Sequence, residues 1–249
     1  MLRILITNDD GYNADGIELL YRLACNLSSD VWVIAPESDQ SGCGHSVTLQ
    51  RPLYITQHAT QRFSINGTPT DCVMLAINEI MLHKKPDLVL SGINRGANLG
   101  DDVLYSGTVS AGFEAMLSGI NSICLSQYYT DTHPLSWDFT QEHGLHVLRH
   151  LLLPSMSEPF CLNVNFPAGP SKGIKRTSLG KRKIGGNLIS HLDEFNQRCF
   201  TIGKRRIEDN TVMGTDIHAV YGGYTSITPL CLGLTDHATL LTLTAEMGD

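Results

Sequence analysis

Short apolar runs broken by polar turns alternate with segments of helical periodicity along the first two thirds of this chain. Ile4-Leu5-Ile6-Thr7 is an apolar, β-branched run that stops abruptly at Asn8-Asp9-Asp10-Gly11. A run of this kind, closed by a turn and followed by a helical pattern, reads as a buried parallel strand. Asp15-Gly16 then opens a helix in which Ile17, Leu20, Leu23, Ala24 and Leu27 keep one apolar face. Further strands are predicted over Val31–Ala35 (closed by Pro36), Asp87–Ser91, Ser122–Ser126 and Cys161–Phe166. Thr68-Pro69-Thr70-Asp71 carries the marks of a helix start: an N-cap hydroxyl, proline at the first position and an acid at the third. That helix is predicted to run to about Leu82, and others over Thr108 or Val109 to Leu117, stopped by Gly119, and over about residues 140–152.

Strand and helix alternation of this sort implies an α/β fold, a doubly wound, mainly parallel, Rossmann-like sheet. Val47–Leu49, Leu53–Thr56 and Phe63–Ile65 read as short strands or a hairpin outside the parallel core. Beyond Pro167 the regularity fades. Residues 170–213 are rich in charge and glycine and read as extended arms, Tyr224–Ile227 as a strand, and Thr235-Asp236 as the cap of a short final helix. The chain is thus expected to be a single domain over 1–249, with an α/β core at 1–167 and a C-terminal extension at 168–249. Arms carrying isolated apolar residues (Ile184, Leu188, Phe195, Phe200, Ile202) bury too little surface alone to offset ordering entropy of roughly 1–2 kcal/mol per residue. Packing against a second copy, by exchange of arms, would supply the burial.

Composition narrows the function classes. With 42% apolar and 17% charged residues the chain has ample material for a core, and a net charge of −7 offers no basic face for a DNA or RNA duplex. The basic clusters at Lys172–Lys183 and Lys204–Arg206 read as a solvated or phosphate-steering rim. No apolar run approaches a membrane span, and Met1-Leu2-Arg3 leads straight into the first strand, so neither membrane insertion nor export is expected. Seven cysteines, an odd number without CxxC spacing, fit a reducing cytoplasm.

The candidate chemistry lies in three crossover loops that a parallel sheet brings to one edge. Asp9 and Asp10 follow the first strand, Ser41 the second and Asn94 the third. Adjacent carboxylates repel each other unless a cation sits between them; the alternative is a solvated Asp-Gly turn. Carboxylate, hydroxyl and amide oxygens suit magnesium or manganese rather than zinc. Neighbouring glycines, Gly11, Gly42, Gly92 and Gly96, let backbone N–H groups approach an anion, and Ser106-Gly107-Thr108 precedes a helix whose N-terminus favours phosphate. The first βα turn is not GxGxxG, the chain has no GxxxxGK[ST] or HExxH, and Thr108-Val109-Ser110-Ala111-Gly112 lacks the first glycine of a GxSxG elbow. Asn8 is a hydrogen-bonding support or turn former as readily as a ligand. Asp101 and Asp102 read as loop-stabilising or N-terminal acids, with metal binding as the alternative, and Asp71 as helix-cap structure. His45 is a candidate general acid with no evident orienting partner, and Tyr105 is either core packing or a face on which a base stacks.

These residues fall into a longer pattern: Asn8-Asp9-Asp10-Gly11 with Ala14 and Gly16-Ile17; Ala35-Pro36 with Ser41-Gly42; Gly67-Thr68-Pro69-Thr70-Asp71-Cys72. It continues through Ser91-Gly92-Ile93-Asn94, Gly100-Asp101-Asp102-Val103, Tyr105-Ser106-Gly107-Thr108-Val109 and Leu162-Asn163-Val164-Asn165. Gly214-Thr215-Asp216, Gly223-Tyr224 and Ser226-Ile227-Thr228-Pro229-Leu230 complete it, while 175–213 aligns poorly. In this the chain resembles the SurE family (survival protein E) of metal-dependent 5′/3′-nucleotidases.

The resemblance implies a SurE-type fold, with Asp9, Asp10, Ser41 and Asn94 holding one divalent cation per subunit, Mg²⁺ or Mn²⁺. Asp9 and Asp10 would be catalytic. Ser41, Gly42, Asn94, Ser106 and Gly107 would bind phosphate, with Asn8 supporting them from behind. It also implies a homodimer or homotetramer built through exchanged arms. The expected activity is removal of phosphate from nucleoside 5′-monophosphates, with 3′-monophosphates and short polyphosphate as further candidate substrates; either a water or Asp9 would attack. The alternative is a non-catalytic, metal-dependent nucleotide- or polyphosphate-binding stress protein. Paired acids argue against it, since a pure phosphate binder gains nothing from negative charge beside its anion unless a metal is present.

Overall fold

The structure, a computed structural model, describes residues 1–152, 158–203 and 206–247. Thirteen strands and six α-helices follow one another among these residues. The first half comprises β1 (Arg3–Thr7), α1 (Asp15–Cys25), β2 (Asp30–Pro36), β3 (Ile55–Ala59), β4 (Arg62–Ile65), α2 (Pro69–Leu75), β5 (Leu88–Arg95) and α3 (Gly107–Leu117). Next come β6 (Asn121–Gln127), α4 (Asp138–Leu151), β7 (Cys161–Phe166), β8 (Ile174–Arg176), β9 (Lys181–Lys183), β10 (Leu188–Leu192) and β11 (Arg198–Ile202). Last are β12 (Ile207–Asp209), α5 (Asp216–Tyr221), β13 (Thr225–Leu230) and α6 (His237–Met247).

Nine strands form the main sheet, in the order β3-β4-β2-β1-β5-β6-β7-β13-β8. From β4 to β7 neighbouring strands run parallel; β13 is antiparallel to β7 and β3 to β4. Alternation along β1 sorts the two faces: Ile4 and Ile6 pack with α1 and α4, and Leu5 with α2 and α3. The doubly wound expectation is met, and the predicted cap of α2 forms a reciprocal capping box between Thr68 and Asp71.

Several boundaries differ from the sequence reading. The segment Val47–Leu49 is loop, and β4 belongs to the main sheet rather than lying outside it, paired in parallel with β2. Phe63, Ser64 and Ile65 are buried there while every residue of β3 is exposed, so only the inner half of the hairpin supplies core. α2 gives way to one π-helical turn at Ala76–Ile80, short of Leu82. β5 continues through Arg95, past the expected loop start at Gly92. Its pairing with β6 slips between Ser91 and Asn94, where Gly92 has φ +133° and a Cβ would lie 2.3 Å from the Leu125 carbonyl oxygen; no other residue fits. α5 is an element the periodicity did not reveal, and β8 and β13 return the C-terminal third to the main sheet. Between β8 and α5 stands a projecting hairpin, β10–β11, with β9 and β12 paired at its base. Lys204 and Arg205 of the second basic cluster lie outside the described residues.

Candidate active site

Because β2, β1 and β5 are parallel neighbours, their carboxyl ends share one edge of the sheet. Asp9 and Asp10 follow β1, Ser41 and Gly42 sit in the loop after β2, and Asn94 is the next-to-last residue of β5. The amino end of α3 arrives at the same edge, with Ser106 as its N-cap accepting from the Val109 N–H at 3.1 Å. Asp9, Ser41, Gly42, Asn94 and Ser106 line one cavity of about 720 Å³. Asp10, Gly107 and Asn8 stand just behind that wall. Gly107 packs so tightly on Asp9 that an added Cβ would lie 2.8 Å from Asp9 Cβ and 2.9 Å from Cys43 Sγ.

The two carboxylates have different surroundings. Asp9 is 4% exposed, so the solvated-turn alternative fails for it. Its Oδ1 accepts the Thr108 hydroxyl, and its backbone carbonyl accepts the Gln40 N–H at 2.8 Å. Burial pushes the Asp9 carboxyl up to about 6; the Thr108 hydrogen bond opposes the rise and the charge of Asp10 adds to it. Asp10 is raised as well, first by burial and then by Asp39, against the pull of the Arg95 N–H that its Oδ2 accepts at 3.0 Å. Among the described residues, neither carboxylate has a cationic side chain within 4.0 Å.

A buried and a half-buried acid side by side, with no ion-paired cation within 4.0 Å among the described residues, suit a divalent cation, and the other donors at this edge are oxygens. The Nδ2 of Asn94 donates to the Gly96 carbonyl at 2.8 Å, which leaves its Oδ1 for a ligand. Behind Asp9, Asn8 Nδ2 donates to the Gly11 carbonyl at 2.9 Å, while the buried Asn8 Oδ1 has no partner. Ser41 is held by Asp39, to which both its N–H (2.7 Å) and its hydroxyl (2.6 Å) donate. The donor set fits a hard cation, held by two carboxylates and neutral oxygens. Among the described residues no cluster of three or more His, Cys, Asp or Glu side chains offers a softer site.

Of the other candidates, His45 and Asp71 stand away from the cavity, and Asp102 and Tyr105 line it. His45 does have an orienting partner, Glu114 Oε2 at 3.2 Å, but the pair ties the Ser41 loop to α3 and does not line the cavity. Asp102, in the cavity wall, is ion-paired to Arg206 Nε at 3.1 Å and Arg182 Nε at 3.5 Å. Asp71 belongs to its capping box. Tyr105 lines the cavity. A separate, largely apolar cavity of about 530 Å³ beside His150, Ile174 and His218 contains none of the candidate residues.

The sequence reading missed much of the far wall. Arg95, Tyr128, Tyr129, Arg182 and Arg206 line the same cavity, and Thr108 holds Asp9. Thr108 was visible inside the Ser106-Gly107-Thr108 motif and Arg95 between Asn94 and Gly96. Arg182 and Arg206 lie where no periodicity flags them.

A family model described as Survival protein SurE matches residues 4–186. The 5′-nucleotidase SurE of Paramagnetospirillum magneticum is 50% identical over 237 residues, covering 94% of this chain and 91% of that protein. That of Rhodospirillum rubrum is 43% identical over 248 residues, covering 97% and 95%. The crystal structure of the SurE protein from Aquifex aeolicus aligns with a TM-score of 0.84 at 36% identity, over 99% of this chain and 100% of that one. With its site residues gathered on one sheet edge and likeness running the length of the chain, this protein belongs to the SurE family.

Proposed function

We propose that this chain is a nucleotidase, a hydrolase that removes phosphate from nucleoside 5′-monophosphates, with 3′-monophosphates and short polyphosphate as further substrates. The observation that carries the reading is the convergence of Asp9, Ser41, Gly42, Asn94 and Ser106 on one cavity. Asp9, Asp10, Ser41 and Asn94 would hold one Mg²⁺ or Mn²⁺ per subunit. Such an ion supplies Lewis acidity at a phosphoryl oxygen and neutralises its charge.

The chain's own groups do the rest. Backbone N–H groups of Gly42, in the loop after β2, and of Gly107, at the amino end of α3, receive the equatorial phosphoryl oxygens. Thr108 occupies Asp9 Oδ1 and so leaves Oδ2 for the cation or a proton. The oxygen of water bonds to phosphorus, the ester P–O bond breaks, and the alcohol leaves with a proton. An Asp9 carboxylate attacking first would divide the same balance into two steps. Tyr105, Tyr128 and Tyr129 offer aromatic faces for the nucleoside. The exposed β10–β11 hairpin is read as the arm of a homodimer or homotetramer.

Phosphate release from a nucleoside monophosphate, with and without EDTA, is the test. Asp9→Asn and Asp10→Asn are expected to lower turnover by at least ~10²-fold while the fold persists. A higher kcat/KM for that substrate than for glycerol phosphate is expected from base recognition. Full activity in EDTA or in either variant overturns the reading; tight nucleotide binding without turnover in Mg²⁺ and Mn²⁺ points instead to a binding protein.

A further inference from the structure

Three arginines line the candidate cavity, and their surroundings divide them. Arg182 lies 3.5 Å from Asp102 and 3.3 Å from Glu208, and Arg206 lies 3.1 Å from Asp102. Those two cations are therefore ion-paired with two anions, although the buried Arg182 Nε and Nη1 make no hydrogen bond among the described residues. Glu208 also accepts the Tyr221 hydroxyl at 2.8 Å, and Tyr221 stacks on Tyr128 with centroids 5.1 Å apart, so this group forms a fixed wall. Arg95 differs. It is exposed, ends β5 directly after Asn94, and has no carboxylate within 4.0 Å among the described residues. Its backbone N–H is bonded to Asp10 Oδ2 at 3.0 Å, which pins its Cα beside the paired acids, while its side chain lines the cavity.

A count of charges turns that placement into a role. It rests on the reading of the site as one that binds a phosphate monoester beside a divalent cation. The two positive charges of the cation balance Asp9 and Asp10, and Arg182 with Arg206 balance Asp102 with Glu208. Among the described residues that line the cavity, Arg95 is then the positive side chain without an ion pair, and it faces the two negative charges of a phosphate monoester. As the ester bond loosens, charge spreads over the equatorial oxygens, and a planar fork of donors gains most at that moment. We infer that Arg95 is a further catalytic residue, whose guanidinium clamps the equatorial oxygens of the transferred phosphoryl group.

The experiment compares wild type, Arg95→Ala and Arg95→Lys as full chains in saturating Mg²⁺ or Mn²⁺. The substrates are p-nitrophenyl phosphate and a nucleoside monophosphate. Titration calorimetry gives the affinities for inorganic phosphate and orthovanadate, and paramagnetic resonance the affinity for Mn²⁺. Arg95→Ala is expected to lower kcat/KM by roughly 10²-fold for both esters alike, as loss of one transition-state donor does. It should weaken orthovanadate more than inorganic phosphate and leave Mn²⁺ binding unchanged, and Arg95→Lys should recover part of the loss.

Unchanged kcat/KM for both esters overturns the inference. A loss confined to the nucleotide overturns it too, by placing the guanidinium on the nucleoside. A parallel loss of Mn²⁺ affinity does the same, since Arg95 would then act through Asp10. Failure of the nucleotidase reading shows separately, as a wild type that releases phosphate from neither ester. The anion affinities then decide: weaker phosphate binding by Arg95→Ala supports the clamp, and equal binding removes it.

Discussion

Thr108 Oγ1, in the first turn of α3, donates a hydrogen bond to Asp9 Oδ1 at the end of β1, across 99 positions of sequence. One bond thus joins the carboxylate edge of the sheet to the helix that presents its amino end to the cavity. Thr108→Val keeps the branched shape and removes the donor. Hydrogen bonds to charged groups are worth about 1.5–3 kcal/mol, so kcat/KM for a nucleoside monophosphate should fall roughly 10–100-fold. Thr108→Ser should restore most of it. Steady-state kinetics check this, and an unchanged Thr108→Val enzyme refutes it.

Asp9 also carries a stability signature. Its carboxyl titrates near 6 in the fold, against about 3.9 in an unfolded chain. Between those values the native state binds more protons than the unfolded one, so the metal-free protein loses stability as pH rises from about 4 to about 6. Asp9→Asn has no such loss. In EDTA it should melt above wild type at pH 7.5, by about 2–3 kcal/mol of stability, and the gap should close as pH falls to 4. Mn²⁺ should reverse the order by stabilising only wild type. Equal melting temperatures in EDTA at pH 7.5 would contradict the assignment.

The arm makes a third test. Leu188 is 65% exposed, Phe195 74% and Phe200 56%, an apolar display that one chain leaves unburied. Replacing 188–202 with a short glycine linker should convert an oligomer to a monomer in light scattering. Mn²⁺ binding should survive, because Asp9, Asp10, Ser41 and Asn94 lie elsewhere. KM should rise, because Ile202 lines the cavity. A wild-type chain that is already a monodisperse monomer at micromolar concentration refutes the exchanged arm.

What was legible in the sequence was what depends on local period and local chemistry. Ile4 to Thr7 could only be a buried strand, and Thr68-Pro69-Thr70-Asp71 could only start a helix. The acids after β1 and the loop residues Ser41 and Asn94 followed from parallel topology, which sends successive crossovers to one edge. The far wall did not follow. Arg182 and Arg206 meet Asp102 only because β9 and β12 pair at the base of the arm, a contact between segments without periodicity. His45 misled for a related reason: sequence shows an ionisable ring in the right loop but not its direction, and Glu114 turns it toward α3.

The register of β1 against β5 has a consequence for heating. Thr7 pairs with Ser91, so the acids after β1 and Asn94 in β5 are spaced by a backbone ladder in the middle of the sheet. Ser41 and Gly42 hang from a loop tied by fewer bonds, such as Gly44 N–H to the Tyr105 carbonyl at 3.1 Å. Regions with sparse backbone pairing open at lower free energy than central strands. As temperature climbs toward the melting point, the grip on the phosphoryl group should therefore slacken while the cation's seat still holds its shape.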